Sequence, residues 1–233
     1  MIARMLEWLI RAIDRSPFWF HFVNLCLVLV WALFVFVSYT KLAALNAQPP
    51  ANYWVLFSLF SLQAANSGLL VVFFALRRRS TELGADVLSV VLAHAGTWVP
   101  LLPLLQTYWK EPAYWIPPEW VMKGGLWALV ASCAVTSLNF ISLGRSWGVI
   151  PANRGIRSGG MYRLVRHPIY ANYILFYWVF LVISVHWTTI VVAIALPVLL
   201  FLRAKLEERV LRKDPDYVAY ADRTRYMFFP GLI

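Results

Sequence analysis

Charge is scarce in this sequence of 233 residues. Only 14% of the residues are charged, whereas 61% are hydrophobic and the mean hydropathy is +0.65. A soluble domain carries roughly a quarter charged residues, so this composition excludes a water-soluble globule and indicates a protein embedded in lipid. Acidic residues are the rarer kind, and the net charge is +10. In a hydrophobic chain a basic balance orients helices more often than it binds nucleic acid, so no nucleic-acid partner is expected.

Cysteine is equally scarce, and several common motifs are missing. Cys26 and Cys133 both lie inside apolar runs and form no CxxC pair, which gives no sign of a disulfide framework or a metal site. The sequence contains no GxGxxG motif for a dinucleotide. The basic N-terminal segment is not followed by the short apolar region and small-residue cleavage site of a signal peptide. We therefore expect the first apolar segment to remain as a membrane span.

Long apolar runs dominate the sequence, and a helix needs about 20 such residues to cross a bilayer. The last of these runs, residues 169–201, is too long for one straight helix. We predict that it forms a tight hairpin of two short helices that turns near residues 184–188. The prediction is an all-α polytopic membrane protein with six spans, or five if the last run is undivided. The first four spans are predicted at residues 18–39, 53–76, 87–108 and 121–143.

Lysine and arginine are distributed asymmetrically about these spans. If both termini lie on one side, that side holds 18 of the 21 basic residues, and the other holds Lys41, Lys110 and Lys123. The positive-inside rule then places both termini and the polar segment before the hairpin in the cytoplasm. We expect a multi-pass protein of a bacterial inner membrane with its active site on the cytoplasmic face.

The sequence divides near residue 140. Residues 1–140 read as transmembrane helices with short connectors, and residues 141–233 as the catalytic region. Within the first part, Pro100 and Pro103 are predicted to kink the third span. Uncharged polar residues inside spans, such as Asn66 and Asn139, are predicted to hydrogen-bond to neighbouring helices.

Residues 143–170 break the hydrophobic pattern with five arginines, a histidine, five glycines and two prolines. Pro168 fits the first turn of the fifth span, which puts Arg166 and His167 at a helix N-terminus, where an anion is favoured. A basic loop that touches anionic lipid headgroups is the alternative interpretation. The glycine pair at residues 159–160, Tyr162 and the Arg-His-Pro-x-Tyr sequence together favour a functional site.

A second polar cluster follows the last span. Arg203 and Glu207 are four residues apart and share a helical face, which Glu208 does not share. A surface salt bridge of little energetic value is the structural alternative. A tight hairpin, however, brings this cluster beside Arg166 and His167, so a bound zwitterion could meet those two residues with its carboxylate and Glu207 with its positive group or ribose hydroxyls.

Four motifs stand in order over roughly residues 140–233. They are Gly160-Met161-Tyr162-Arg163, Arg166-His167-Pro168-Ile169-Tyr170, Glu207-Glu208-x-x-Leu211, and Tyr217-x-x-Tyr220 with Pro230. Together they resemble one family, the isoprenylcysteine carboxyl methyltransferases and related phospholipid methyltransferases. The aromatic tail beyond Tyr220 is interpreted either as an interfacial segment or as a lid.

The resemblance implies that S-adenosylmethionine binds at the cytosolic face and that a lipophilic or prenylated acceptor enters from the bilayer. It implies catalytic roles for Arg203, which would face the acceptor, and for Arg166. A methyl sulfonium is already electrophilic, so such an enzyme mainly positions the acceptor and excludes water. The cofactor contacts implied by the resemblance are Arg154, Gly155, Ile156, Arg157, Tyr162, His167, Pro168, Ile169, Tyr170, Glu207 and Glu208.

Other functions fit the sequence less well. The resemblance makes the carboxylate of an isoprenylcysteine-like substrate the expected acceptor, and a small thiol or a phospholipid amine is the alternative. A membrane reductase using NADPH has a similar C-terminal architecture but more spans. A non-enzymatic carrier would concentrate polar residues near the middle of the bilayer, whereas this sequence concentrates them at one edge.

Overall fold

The computed structural model describes residues 2–109 and 111–231, and within them the chain is predominantly helical. Short 3-10 turns occupy Val99–Leu101, Gly144–Ser146 and Gly160–Arg163, and a two-stranded antiparallel ribbon joins β1 (Glu82–Leu83) to β2 (Ala152–Asn153). The predicted all-α class is confirmed. The helices are α1 Ile2–Arg15, α2 Pro17–Ala47, α3 Tyr53–Ala75, α4 Val87–Trp98, α5 Pro103–Trp109, α6 Glu119–Leu143, α7 Pro168–Ile183, α8 Trp187–Leu211 and α9 Pro215–Arg223.

Four of these helices, α2, α3, α6 and α8, are long and apolar enough to cross a membrane. The other two predicted spans are present as shorter apolar helices, Val87–Leu101 and Pro168–Ile183. At 1.5 Å per residue, the 16 residues of α7 extend only about 24 Å, less than the roughly 30 Å of a bilayer core. The chain is therefore a polytopic membrane protein whose predicted spans are unequal in length.

Prolines interrupt the third apolar segment as predicted. α4 stops at Trp98, a 3-10 turn carries Pro100, and Pro103 begins α5, because proline lacks the backbone N–H that would continue the helix. Asp86 caps the start of α4 by accepting hydrogen bonds from the backbone N of Ser89 (3.0 Å) and from its hydroxyl (2.6 Å). Burial opposes ionisation of Asp86, but these hydrogen bonds outweigh it and lower the pKa of the carboxyl.

The predicted hairpin is confirmed, with its turn at residues 184–186 between α7 and α8. Its two helices are unequal, since α7 has 16 residues and α8 has 25. His186 caps α8, and its Nε2 lies 2.7 Å from Glu111 Oε2 in the connection that follows α5. The backbone N of Tyr114 in the same connection donates to the Val185 carbonyl, so the turn is held at the end of the bundle opposite the basic segment.

The core sits where α3, α6, α7 and α8 meet. Its fully buried residues include Phe74, Leu196 and Leu200, and Met227 of the C-terminal tail returns into the same cluster. Polar side chains join the helices inside it, as predicted for Asn66, whose Nδ2 donates to the Cys133 carbonyl at 3.0 Å.

The two parts of the sequence are packed together rather than separate. β1 belongs to the connection between α3 and α4, and β2 to the polar segment before the hairpin, so the ribbon joins residues on both sides of position 140. The side chain of Arg145 also donates to the carbonyl of Leu76. The division into 1–140 and 141–233 stays a prediction, but the first part supplies one wall against which the polar segment folds.

Candidate functional site

A cleft opens where the polar segment meets the two ends of the hairpin. The cleft and its open mouth together enclose about 750 Å³ of empty space. Ten of the thirteen predicted site residues line it, and nine further residues complete its wall. The predicted residues are Arg154, Gly155, Ile156, Arg157, Tyr162, Arg166, His167, Ile169, Tyr170 and Glu207, and the others are Leu143, Ser146, Trp147, Gly148, Ile150, Ala152, Leu211, Tyr217 and Tyr220.

The floor of the cleft joins the start of α7 to the end of α8. Tyr170 Oη donates a hydrogen bond of 2.7 Å to Glu207 Oε2, and the His167 ring stacks on the Tyr170 ring with centroids 5.3 Å apart. The side chain of Glu207 remains 28% exposed. The site therefore presents one partly solvated carboxylate, held in place by a buried phenol.

Glu208, the neighbour of Glu207, faces away from the cleft and is buried. Its Oε1 lies 2.7 Å from Arg166 Nε and 3.4 Å from His167 Nε2. Pro168, the first residue of α7, is also behind the wall. Arg166 does line the cleft, but its guanidinium donates hydrogen bonds to the Glu208 carboxylate and to the carbonyls of Thr224 and Arg225. This group of contacts fixes the two helix ends to the tail.

The tail passes directly beside the start of α7. The backbone N of Arg166 donates to the carbonyl of Tyr226, and that of His167 donates to the carbonyl of Met227. Met227 and Phe228 are buried in the core, so this part of the tail is packed into the helix bundle. The aromatic tail thus packs against Arg166 and His167, two residues of the cleft wall.

Three tyrosines form a second wall, and each is buried. Tyr162 is presented by the turn that starts at Gly160, where φ is +59° and a Cβ atom would lie only 2.4 Å from the Ser142 hydroxyl, so glycine is required. Tyr220 Oη donates to the Tyr162 carbonyl at 2.7 Å. Burial raises the pKa of Tyr220 to about 12 and the pKa values of Tyr162 and Tyr217 well above their ordinary range, so all three phenols are neutral at physiological pH.

Buried polar atoms of the lining that have no hydrogen-bond partner in the part of the chain that the structure describes include the hydroxyl of Tyr217 and Nε1 of Trp147. Both atoms have less than 1 Å² of accessible surface. Buried donors are nearly always satisfied in folded proteins, and an exception needs an explanation. Both atoms belong to residues of the cleft wall, so they are candidate donors to a ligand in the cleft.

Arg203, predicted to face the acceptor, lies behind the cleft and is only 6% exposed. Its Nη1 donates to Ala93 O and Thr97 Oγ1 of α4, each at 3.1 Å, and its Nη2 donates to Val149 O at 2.7 Å. The guanidinium also lies over the Tyr170 ring, 5.4 Å from its centroid. In this structure Arg203 ties α8 to α4 and to the loop of the cleft wall.

The loop after α6 contributes lining residues that the sequence analysis did not single out. Ser146 accepts a hydrogen bond from Arg157 Nε at 3.2 Å, and Gly148 packs so closely on Arg154 that a Cβ atom would lie 2.5 Å from Arg154 Nη1. These residues belong to the same polar segment as the predicted arginines. Their proximity in sequence was the available signal, but the fold of the loop is what turns them inward.

Comparison with known proteins bears on the segment that builds most of this site. Residues 125–213 match the family model described as the isoprenylcysteine carboxyl methyltransferase (ICMT) family. The match confirms the resemblance drawn from the motifs, and it supports a membrane methyltransferase. It spans most of α6, the cleft loop and the hairpin, and ends before α9. A search of curated proteins finds no match to the chain.

Proposed function

We propose that this chain is an integral membrane methyltransferase that transfers the methyl group of S-adenosylmethionine to the carboxylate of a lipophilic, isoprenylcysteine-like acceptor. The observation that carries the proposal is the cleft itself. Most of its wall lies in the segment that matches the ICMT family, and the cleft combines one partly exposed carboxylate, Glu207, with neutral tyrosine rings and several arginines.

The residues of the cleft fit this cofactor. When bound, S-adenosylmethionine supplies an electrophilic methyl group on a positively charged sulfur. Glu207 can accept hydrogen bonds from ribose hydroxyls or the amino group, and tyrosine faces attract cations. The unpartnered donors of Trp147 and Tyr217 offer hydrogen bonds to ligand oxygen or nitrogen atoms. Arg157, also in the lining of the cleft, offers a cationic partner for a carboxylate.

The protein's own contribution is positioning. A carboxylate attacks a sulfonium methyl group with its own lone pair, so the site needs no general base and gains rate by alignment and by excluding water. The raised pKa values of Tyr162, Tyr217 and Tyr220 keep these phenols protonated. A phenolate beside an electrophilic methyl group would be a competing nucleophile, and burial suppresses it.

The charge of the site favours an anionic acceptor. Arg154 and Arg157 lie in the wall with a single glutamate, Glu207, while Arg166 is paired with Glu208. A cleft of one predominant sign concentrates ligands of the opposite sign. An amine acceptor is protonated near neutral pH and must first lose its proton to a base. This contrast supports a carboxylate over a phospholipid amine.

In this proposal Arg166 and Arg203 position the site. Arg166 holds the helix ends and the tail through Glu208, and Arg203 holds the loop beneath Tyr170. The cleft and both termini face the cytoplasm, on the strength of the 18-to-3 division of basic residues, and the membrane is the inner membrane of a bacterium. The surrounding apolar helices give a lipophilic acceptor access from the bilayer.

Methyl transfer in nanodiscs tests the proposal. Protein is supplied with methyl-labelled S-adenosylmethionine and with N-acetyl-S-farnesylcysteine, its carboxamide, a small thiol or phosphatidylethanolamine. We expect label in the farnesylcysteine as a base-labile ester and none in the carboxamide, with the Glu207→Gln variant much slower at equal cofactor concentration. Label in the amine lipid or the thiol instead would overturn the carboxylate assignment. No transfer and no cofactor binding by folded protein would overturn the function.

A further inference from the structure

α1 lies at the edge of the bundle. Its 14 residues, Ile2–Arg15, extend about 21 Å, too short to cross a bilayer core of roughly 30 Å. α1 leads directly into the membrane span α2, because the backbone N of Ser16 still donates to Ala12 O and Pro17 begins α2. A short helix at the mouth of a span lies at the boundary between lipid and water.

One side of α1 is apolar and uncovered. Met5, Trp8 and Leu9 are 63%, 68% and 46% exposed, and their spacing of three and four residues places them along adjoining positions of the helix surface. A water-soluble surface helix rarely exposes three such large side chains together. This face requires an apolar environment.

The positive charges of α1 border this apolar face. Arg4 and Arg11 are exposed and seven residues apart, nearly two full turns, so they share one side of the helix. Trp8 is four residues after Arg4 and three before Arg11, which makes it their neighbour. At 100° per residue, the arginines separate Trp8 from Glu7 on the surface of the helix. Around α1, apolar side chains are therefore followed by Trp8, then by the two arginines and then by Glu7. This order matches the succession from acyl chains through lipid phosphates to water.

The remaining side of α1 contacts the wall of the cleft. Ile10 packs on the cluster formed by Leu83, Ala85 and Ala152, together with Ile150. Leu83 and Ala152 are paired in the β1–β2 ribbon, and both Ile150 and Ala152 line the cleft. Movement of α1 away from the bundle would therefore remove support from the cleft wall.

We propose that α1 is a membrane-surface helix for anionic lipid, with Arg4 and Arg11 on the lipid phosphates and Met5, Trp8 and Leu9 among the acyl chains. Its attachment to the bilayer holds Ile10 against the ribbon, so anionic lipid strengthens ligand binding in the cleft. The effect on ligand binding rests on the proposed function, whereas the contact of α1 with lipid does not. A basic residue near an anionic surface contributes about 1 kcal/mol, or roughly fivefold in partitioning. The two arginines should therefore raise the partitioning of α1 onto an anionic bilayer, relative to a neutral one, about 25-fold.

The lipid contact is tested by fluorescence quenching. In a Cys26→Ser background, where Cys133 is buried, an environment-sensitive fluorophore is attached at Met5→Cys or, as a water-exposed control, at Asp222→Cys. Nanodiscs carry nitroxide-labelled lipid in a neutral or a 30% anionic bilayer. We expect quenching at position 5, stronger in the anionic bilayer, and little quenching at position 222. A position 5 label that stays in water in both bilayers overturns the proposal.

The consequence for the cleft is tested with charge variants. S-adenosylmethionine affinity is measured in both bilayers for the wild type, for Arg4→Gln/Arg11→Gln, and for Lys41→Gln/Lys123→Gln, which removes the same charge from exposed positions in other helices. We expect severalfold tighter binding in the anionic bilayer, lost only in the arginine double variant. Equal dependence in both double variants, or none in the wild type, overturns the link to the cleft. Absence of cofactor binding in every sample, with quenching intact, contradicts the proposed function and leaves the lipid contact standing.

Discussion

Two adjacent glutamates should respond in opposite ways to the same substitution. Glu207 lines the cleft with 28% of its side chain exposed, whereas the Glu208 side chain is 6% exposed and 2.7 Å from Arg166. Replacing either residue by glutamine removes one negative charge and keeps the shape. The pair therefore separates ligand binding from stability with a minimal change in the protein.

Glu208→Gln should destabilise the fold. It leaves the Arg166 guanidinium, 10% exposed, with the carbonyls of Thr224 and Arg225 but no counter-charge. Removing one partner of a buried pair costs 3–5 kcal/mol, and the surviving carbonyls place this case near about 3 kcal/mol. For a chain of this length that corresponds to a fall of about 6–12 °C in Tm, measured by thermal denaturation in a fixed detergent. The double variant Arg166→Met/Glu208→Met should lose less stability than the sum of its two single variants.

Glu207→Gln should leave Tm within about 2 °C, since glutamine can still accept the Tyr170 hydrogen bond and a change below about 1 kcal/mol has little effect. Cofactor affinity should fall about 10- to 100-fold, because a hydrogen bond to a charged group contributes about 1.5–3 kcal/mol. Calorimetric titration with S-adenosylmethionine measures it. A stable Glu208→Gln variant with weakened binding, paired with an unstable Glu207→Gln variant, would refute this division of roles.

Three further outcomes are expected. Tyr217→Phe removes an unpartnered hydroxyl and should weaken cofactor binding about 3- to 10-fold in calorimetry without lowering Tm, whereas Tyr220→Phe, which loses a hydrogen bond, should lower Tm. Gly148→Ala should displace Arg154 and weaken binding, while Gly159→Ala, with nothing near its added Cβ, should not. Burial raises the pKa of Tyr220 from an ordinary value near 10 to about 12, so its contribution to stability should be complete below pH 10 and lost as pH rises toward 12. A wild-type minus Tyr220→Phe difference that disappears already between pH 8 and 10 would contradict this assignment.

The helices and the hairpin could be predicted because hydrophobic run length and proline position determine them locally. The run of residues 169–201 exceeds one span, and Pro168 can only stand near a helix start. The sequence therefore predicted that Arg166 and His167 lie beside residues 207–208. The unequal lengths of α7 and α8 could not be derived, because both the turn and the polar end of α8 are set by contacts such as that of His186 with Glu111.

Side-chain direction was the main part that the sequence left open. Helical spacing showed that Glu207 and Glu208 face differently and favoured Glu207 as the ligand contact, but it did not show that Glu208 pairs with Arg166. Arg203 shares a face with Glu207, yet it turns toward α4 because the carbonyls of Ala93 and Val149 lie within reach. Such partners are distant in sequence, and only the packed helices bring them together.

The central claim is that the cleft between the polar segment and the hairpin binds S-adenosylmethionine. The most direct test is a calorimetric titration of nanodisc-embedded protein with S-adenosylmethionine and, separately, with NADPH. The account predicts one saturable site for S-adenosylmethionine, weakened by Glu207→Gln in a protein of unchanged Tm, and no binding of NADPH. Binding of NADPH alone, or S-adenosylmethionine binding that is unaffected by Glu207→Gln, would contradict it.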